Sequence, residues 1–324
     1  MNSNRSINIL SITPIGHINN IKDELKKIGK LKVLNDPSSK EVEKMIYKFD
    51  AIFTNPNKSK VYLGEKIMDK AKKLKIICTA STGTNHINIK YAIRKKIKII
   101  SLKKEKKITN KISSTAEHAL ALTLASLRNV VNSSNSVLLG NWDYTNFIGR
   151  QINFMTVGVV GYGRLGKKYA NYCKALGAKV IFYDPFIKKG SRNIKKINSF
   201  EKLLKYSDVI SIHVHLDKKT HHMFNKKIFS KLKKEVIIVN TSRGDIINEK
   251  ELIHFLARNK KIKFATDVLE NEIFAKKNNA LVKFAKKRPS QLLITPHIGG
   301  MTTEAQEIAY GHAVKKLNGF FHKF

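Results

Sequence analysis

The stretch TVGVVGYGRLG, Thr156 to Gly166, joins an apolar run to a glycine-rich turn. Gly161, Gly163 and Gly166 have the GxGxxG spacing and open the helix-like segment RLGKKYANYCKALG. In this pattern the first glycine permits a tight turn, the second lets the backbone approach a pyrophosphate, and the third lets helix and strand pack closely. The free amides at the start of the helix then face the phosphates. The stretch therefore predicts a strand, turn and helix that bind a dinucleotide.

A carboxylate follows at the distance that this motif requires. Asp184 ends the next apolar run, VIFYD, 18 residues after Gly166. A carboxylate there accepts hydrogen bonds from the adenosine ribose and repels a 2′-phosphate, which favours NAD over NADP. Lys188 and Lys189 lie nearby and argue in the other direction.

Composition limits the classes of protein to consider. The 324 residues suffice for two domains, and no apolar run reaches the roughly 18 to 20 residues of a membrane span. Two cysteines are too few for a disulfide framework or a zinc site, so we expect no metal and a cytoplasmic protein. The net charge of +38 raises nucleic-acid binding, but only nine of the 62 basic residues are arginine and none forms a basic tail. We therefore interpret the charge as solvated lysines and expect no nucleic-acid partner.

Short apolar runs alternate with amphipathic segments along the whole chain. Five runs before residue 103 predict buried strands: INILSIT, LKVLND, DAIFTN, LKIICTA and IKIISL. Six more follow: TVGVVG, AKVIFYD, SDVISIHV, EVIIVNT, KFATDV and QLLITP. This alternation predicts parallel sheets covered by helices. The final segment, 302–324, is too short for a domain, so we expect it to cross back onto the first one.

The predicted fold is α/β with two domains. A Rossmann doubly wound parallel sheet, residues 105–297, is inserted into a smaller flavodoxin-like α/β substrate domain, residues 1–104 plus 298–324. Between the two strand series, residues 113–131 predict one long apolar helix, with Ser113 or Ser114 as its cap and Glu117 completing a capping box. This helix is either a core helix or one that packs in a subunit interface.

Three charged side chains follow predicted strands of the second series. Arg243 follows EVIIV, Glu272 follows KFATDV, and His297 follows QLLI. Ligands of open α/β sheets sit at the carboxyl ends of the strands. Arg243 can hold a carboxylate with two parallel hydrogen bonds, His297 can exchange a proton with a hydroxyl, and Glu272 can fix the imidazole tautomer. Together they supply what hydride transfer at a 2-hydroxy acid requires.

The chain resembles the D-2-hydroxyacid dehydrogenase family, which contains D-3-phosphoglycerate dehydrogenase, glyoxylate/hydroxypyruvate reductase and D-lactate dehydrogenase. The resemblance runs from about residue 50 to 304, through STGTNHINI, TAEHALALTLA, TVGVVGYGRLG, THHMFNKKIFSKLKKEVIIVNTSRGDIIN, DVLENE and TPHIGG. It implies that Arg243, Glu272 and His297 are the catalytic trio. It also implies that the substrate meets Ser81, Thr82, Gly83, Arg243 and His297. The implied NAD contacts are Gly161, Gly163, Arg164, Leu165, Gly166, Asp184, Val214, Thr241, Ser242, Asp267, Gly299 and Gly300, with Asp267 holding the nicotinamide carboxamide.

The sequence departs from the family at two places where the family has proline, now His215 and Ile273. The segment TNPNKSKV, 54–61, occupies the position of a basic loop in phosphoglycerate dehydrogenases, and Lys58 and Lys60 there would bind a phosphate. We expect a phosphoglycerate dehydrogenase-like homodimer. Reduction of glyoxylate, hydroxypyruvate or another 2-oxo acid stays open as an alternative, as does an NAD-sensing corepressor that acts as a binding module.

Overall fold

A computed structural model describes residues 6–56, 61–191, 193–272 and 278–322 of the chain. The chain divides into two compact units, one formed by residues 1–112 and 301–324 and the other by residues 113–300. The first unit is therefore discontinuous in sequence, and the second is inserted into it. Among the described residues, no helix combines the length and the apolar character needed to cross a bilayer.

The first unit contains a five-stranded parallel sheet with the strand order β2-β1-β3-β4-β5. The five strands lie where the sequence predicts them: β1 Asn8–Ser11, β2 Lys30–Val33, β3 Ala51–Thr54, β4 Ile76–Thr79 and β5 Lys98–Ile100. The helices are α1 Ile21–Ile28, α2 Ser39–Met45, α3 Glu65–Lys70, α4 Ile89–Arg94 and α5 Lys106–Thr109. The last helix, α13 Thr303–Phe321, also belongs to this unit.

Side chains of the three inner strands of the first sheet, β1, β3 and β4, alternate between two buried layers. Along β3, Phe53 packs in a cluster with residues of α1 and α13, whereas Ile52 packs in a second cluster with residues of α2 and α3. This period of two is what a strand covered by helices on both faces requires. The continuous apolar runs in the sequence reflect that double burial.

The second unit contains a seven-stranded parallel sheet with the strand order β12-β11-β10-β9-β6-β7-β8. Six strands match the predicted runs: β6 Thr156–Val160, β7 Lys179–Tyr183, β9 Val209–Ile212, β10 Ile237–Asn240, β11 Lys263–Thr266 and β12 Leu292–Ile294. The seventh, β8 Lys195–Lys196, is a two-residue edge strand. Its two lysines carry no apolar signal, so the sequence did not predict it.

The helices of the second unit cover both faces of this sheet. They are α6 Ser114–Leu127, α7 Val130–Leu138, α8 Arg164–Ala175, α9 Phe200–Tyr206, α10 Lys226–Phe229, α11 Glu249–Arg258 and α12 Ala280–Lys287. Buried residues of α6 belong to the same cluster as residues of β6 and α8, so α6 is a core helix of its unit.

Two predictions about the helix at 113–131 are wrong. The helix ends at Leu127, and a new one begins at Val130, because Asn129 adopts a left-handed conformation with φ 55°. Its side-chain Nδ2 donates to the carbonyl of Phe147, which stabilises this break. The capping box is also absent: the Ser113 side chain makes no cap hydrogen bond, because its backbone is already helical at φ −109° and ψ −17°.

Candidate active site

The glycine turn after β6 has the geometry that its sequence predicts. Gly161 has φ +91°, and a Cβ there would lie 2.8 Å from the carbonyl oxygen of His213. A Cβ on Gly166 would lie 2.0 Å from the carbonyl oxygen of Gly161, so helix α8 crosses the turn at a distance that only glycine allows. Around Gly163, by contrast, a Cβ would meet nothing within 4 Å. The turn therefore leaves open space beside the amino end of α8, where a pyrophosphate fits.

Asp184 lies at the carboxyl end of β7, beside this turn. Its Oδ2 accepts a hydrogen bond from the amide of Tyr162 at 2.8 Å, and its Oδ1 accepts one from the amide of Phe186 at 2.8 Å. Each carboxylate oxygen has a second lone pair, so the group can still accept from ribose hydroxyls. The Tyr162 ring stacks on Phe182 with 3.9 Å between centroids, which fixes the turn against the strand. The residues at this end of the sheet fit a dinucleotide.

Arg243, Glu272 and His297 follow β10, β11 and β12, three neighbouring strands of the sheet. Parallel strands present their carboxyl ends at one edge, so the fold places the three residues at the same edge. His297 Nδ1 lies 2.7 Å from Glu272 Oε1, and both side chains are partly buried. This hydrogen bond leaves Nε2 as the nitrogen that can exchange a proton with a ligand.

The Arg243 side chain is partly buried beside the same group. Its Nη1 donates to the carbonyl of Ser242 at 2.6 Å. Burial lowers the pKa of the guanidinium, and the charges of Glu272 and Asp245 oppose that shift. An arginine keeps its proton under such conditions, so the edge carries a fixed positive charge next to the His297–Glu272 pair.

The turn that carries His297 is held by a buried carboxylate. Asp267 Oδ1 accepts from Thr295 Oγ1 at 2.6 Å and from the amide of Ile298 at 2.8 Å, and Oδ2 accepts from the amide of Gly299 at 2.7 Å. Burial favours the neutral acid, but hydrogen bonds from His118, Thr295, Gly299 and Ile298 outweigh it and lower the pKa of Asp267. The ionised carboxylate therefore anchors the turn. His297 needs such an anchor because its φ is +58°, a conformation unfavourable for a residue with a Cβ.

The other predicted cofactor residues of the second unit lie around the same edge. Arg164 and Leu165 begin α8, and Val214 lies against Gly161. Thr241 and Ser242 follow β10, where Ser242 Oγ donates to the carbonyl of Ile212 at 2.7 Å. Gly300 follows Gly299 and has open space on its Cβ side.

The predicted substrate residues Ser81, Thr82 and Gly83 lie in the first unit, directly after β4. Ser81 Oγ donates to the carbonyl of Gly83 at 2.6 Å, which shapes a compact loop. Lys58 and Lys60 of the predicted basic loop lie outside the described residues, as does Ile273.

The sequence did not single out several side chains that hold this edge together. They are His118, Thr295, His222, Glu249, Glu270 and Asn279. His118 Nε2 lies 2.9 Å from Thr295 Oγ1 and 3.3 Å from Asp267 Oδ1. His118 stands in the quoted motif TAEHALALTLA, and a polar residue inside such an apolar helix was the available signal.

Comparisons with known proteins show which family and which relatives the chain resembles. Residues 120–299, more than half of the chain, match the family model described as D-isomer specific 2-hydroxyacid dehydrogenase, NAD binding domain. A D-3-phosphoglycerate dehydrogenase of Archaeoglobus fulgidus is 35% identical over 287 residues, which cover 88% of this chain and 52% of that protein. A hydroxypyruvate reductase of Thermotoga maritima is 32% identical over 253 residues, covering 78% of this chain and 79% of that protein.

A solved structure of a D-lactate dehydrogenase from Aquifex aeolicus, complexed with NAD and lactic acid, shares the fold. It is 28% identical, with a TM-score of 0.79, and the match covers 97% of this chain and 95% of that one. The chain spans about half the length of the phosphoglycerate dehydrogenases that it matches. The matched domain is an NAD-binding domain, which confirms the predicted cofactor class. With its glycine turn, its two parallel sheets and this match, the chain belongs to the D-isomer specific 2-hydroxyacid dehydrogenase family.

Proposed function

We propose that the protein is an NAD-dependent oxidoreductase that interconverts a D-2-hydroxy acid and its 2-oxo acid. The observation that carries the proposal is the 2.7 Å hydrogen bond between His297 Nδ1 and Glu272 Oε1, beside the positive charge of Arg243. An imidazole with a carboxylate on one nitrogen can act as a proton donor or acceptor through the other. Family membership supports the same reaction class.

In this proposal the glycine turn and Asp184 would hold NAD, which when bound would supply the hydride-transfer chemistry. Arg243 binds the substrate carboxylate and polarises the oxygen on C2. His297 takes the hydroxyl proton at Nε2 during oxidation and returns it during reduction. Glu272 holds the imidazole in the required tautomer and stabilises the imidazolium that forms.

The two units then have separate tasks. The unit formed by residues 113–300 binds the cofactor, through the twelve residues predicted from the sequence, and carries the reacting side chains. The unit formed by residues 1–112 and 301–324 binds the substrate through the loop Ser81 to Gly83, whose backbone amides meet a carboxylate. The domain bounds predicted from the sequence, 1–104 with 298–324 and 105–297, stay a prediction.

For the substrate we propose a phosphorylated 2-oxo acid, as in the phosphoglycerate dehydrogenases that this chain resembles. The hydroxypyruvate reductase among its relatives supports the alternative of a small unphosphorylated acid. A screen of NADH oxidation with phosphohydroxypyruvate, hydroxypyruvate, glyoxylate and pyruvate separates the two. Oxidation of the D but not the L hydroxy acid is the expected stereochemical result.

Replacing His297 tests the reaction class. We expect H297A to lose a factor on the order of 10²–10⁴ in kcat while its affinity for NADH stays near that of the wild type. H254A is the matched control, because His254 is exposed and its Nδ1 bonds to the carbonyl of Lys250 in its own helix. Retained turnover in H297A would refute the assignment. A wild type that binds NADH but reduces no 2-oxo acid would instead favour the corepressor-like binding module.

We also propose that the protein is a homodimer, because a segment of the second unit exposes large apolar side chains. Leu138, Leu139 and Trp142 are 81%, 80% and 90% exposed, and Tyr144, Ile148 and Phe154 are similarly open. Apolar patches of this kind mark protein interfaces. Sedimentation of the L138E/W142E variant should give a monomer where the wild type gives a dimer, and a monomeric wild type would contradict the proposal. A cytoplasmic location and the lack of a nucleic-acid partner stay predictions, the latter tested by DNA binding at low salt.

A further inference from the structure

A buried carboxylate outside the proposed active site holds the segment that carries Glu272. Glu249 begins helix α11 and is only 6% exposed. Its Oε1 accepts a hydrogen bond from the amide of Glu270 at 2.7 Å, and its own amide donates to Glu270 Oε2 at 3.2 Å. The two glutamates thus hold each other by reciprocal bonds between side chain and backbone. Glu270 lies two residues before Glu272.

The second oxygen of Glu249 reaches the chain on the other side of Glu272. Asn279 Nδ2 donates to Glu249 Oε2 at 2.7 Å, and Asn279 is itself buried. The Asn279 Oδ1 accepts from the amides of Leu281 and Val282 at the start of helix α12. One carboxylate therefore fixes residues 270 and 279, which lie before and after Glu272 in the sequence.

Further contacts hold Glu270 itself. Its Oε1 lies 2.6 Å from His222 Nε2. A Cβ on Gly244 would lie 2.2 Å from the amide nitrogen of Glu270, so the turn after Arg243 packs directly on the same backbone. These contacts place the Glu272 segment relative to Arg243, on the neighbouring strand end.

We propose that Glu249 is a positioning residue for the proposed reaction: through Glu270 and Asn279 it holds Glu272 at hydrogen-bond distance from His297 Nδ1. The inference rests on the proposed function, because it assigns Glu249 an effect on proton transfer at His297. Glu249 does not touch the imidazole, and its effect passes through Glu272 alone.

The ionisation of Glu249 is consistent with this anchoring task. Burial raises the pKa of Glu249 to about 7, and the charges of Glu270 and Asp245 act in the same direction. Hydrogen bonds from the Glu270 amide and from Asn279 oppose the shift. Burying a carboxyl group is costly unless it is hydrogen-bonded, and these bonds offset that cost. His222 faces the cluster from the other side of Glu270.

The hydrogen-bond pattern yields a sharp test. The E249Q side chain has one acceptor oxygen for two donors, the Glu270 amide and Asn279 Nδ2. The Asn279 side chain cannot turn its oxygen toward the glutamine, because that oxygen accepts the hydrogen bonds that cap α12. The double variant E249Q/N279D restores every bond: the glutamine amide donates to the new carboxylate, and its oxygen accepts from Glu270. E251Q is the matched control, since Glu251 lies in the same helical turn but accepts from the amide of Lys226.

We expect E249Q to lower kcat for the 2-oxo acid on the order of 10-fold to 10²-fold, with the KM for NADH nearly unchanged. E249Q/N279D should recover most of this loss, and E251Q should resemble the wild type. In an E272Q background, E249Q should cause no further loss, because the group through which it acts is gone. The pH at which kcat/KM for reduction is half-maximal should fall in E249Q, and we expect the same direction of change in E272Q.

A merely structural role would lower kcat by the same factor in the wild-type and E272Q backgrounds, and that result would overturn the proposal. So would a normal kcat in E249Q or an unrescued double variant. If E249Q does not fold, H222Q tests the same anchor and should show a smaller loss that vanishes in the E272Q background. If the wild type reduces no 2-oxo acid, the proposed function fails, yet ¹⁵N NMR of the His297 imidazole still reports whether E249Q breaks the Nδ1 hydrogen bond.

Discussion

The substitution Asp267→Asn removes one charge from the buried centre of the turn that carries His297. Asp267 is 2% exposed, and its two oxygens accept from Thr295 and from the amides of Ile298 and Gly299. Asparagine has almost the same volume but only one acceptor oxygen. In either orientation of the asparagine amide, its NH₂ group faces at least one backbone N–H that donated a hydrogen bond to the carboxylate.

The size of the effect follows from these bonds. At least one buried donor loses its acceptor, which costs about 1–3 kcal/mol. The remaining bonds lose their charge assistance, at about 1 kcal/mol each. The total of roughly 3–5 kcal/mol lowers the melting temperature of a domain of this size by on the order of 10 °C. Because His297 stands at φ +58°, the loosened turn should also relax and carry the imidazole away from Glu272.

Thermal unfolding followed by circular dichroism measures the first effect, and kcat for 2-oxo acid reduction measures the second. D217N is the matched control, because Asp217 also accepts from two amides, those of Lys219 and Thr220, but is exposed. We expect its melting temperature to change by no more than about 2 °C. A D267N variant that melts with the wild type and keeps its kcat would refute the anchoring role of this carboxylate.

Three further predictions concern the same edge. R243K should lower kcat/KM on the order of 10²-fold in steady-state kinetics, because a point charge cannot reproduce a two-point grip; near-normal kinetics would contradict its role. G244A should unfold at lower urea or be insoluble, since its Cβ would lie 1.9 Å from the Leu269 carbonyl carbon, which is backbone and cannot yield. The pKa of Glu249 is raised by burial from 4.5 to about 7, so its folded state binds the proton more tightly than the unfolded chain. The contribution of Glu249 to the free energy of unfolding is therefore largest at low pH and is lost as the pH rises from the unfolded value through 7. Urea titrations should show the free energy of unfolding of the wild type falling by up to about 3 kcal/mol relative to that of E249Q between pH 5 and 8.

Most of the strands could be predicted from short-range patterns of apolar residues in the sequence. Eleven of the twelve strands in the described residues fall on predicted apolar runs, which is a strong and local signal, and β3, β4, β9 and β10 are buried along their whole length. The two-residue strand β8 has no such run, and its pairing with β7 is set by the neighbouring chain. Asn129 was missed for a related reason: its left-handed conformation depends on a bond to Phe147, 18 residues away.

Some residues of the candidate site could likewise be predicted from local sequence, and others could not. Gly161, Arg243 and His297 were found because they follow strands in recognisable motifs. Glu249 and His118 were not, because each lies in a helix that reads as an ordinary amphipathic or apolar segment. Their hydrogen bonds are to side chains that only tertiary packing brings near, and the spacing of residues along the chain does not predict such contacts.

Acidic residues are concentrated in the part of the sequence that forms the candidate site. The chain has 62 basic and only 24 acidic residues, yet six of the acidic residues fall between Asp245 and Glu272. Most of these six accept hydrogen bonds that hold the edge together, whereas an exposed residue such as Glu201 has a lysine as its partner. An exposed ion pair is worth about 0–1 kcal/mol, far less than a buried acceptor whose donors have no other partner. Replacing an exposed acidic residue by lysine therefore costs little, whereas at positions 249 and 267 the same replacement would remove the buried acceptors that hold the candidate site.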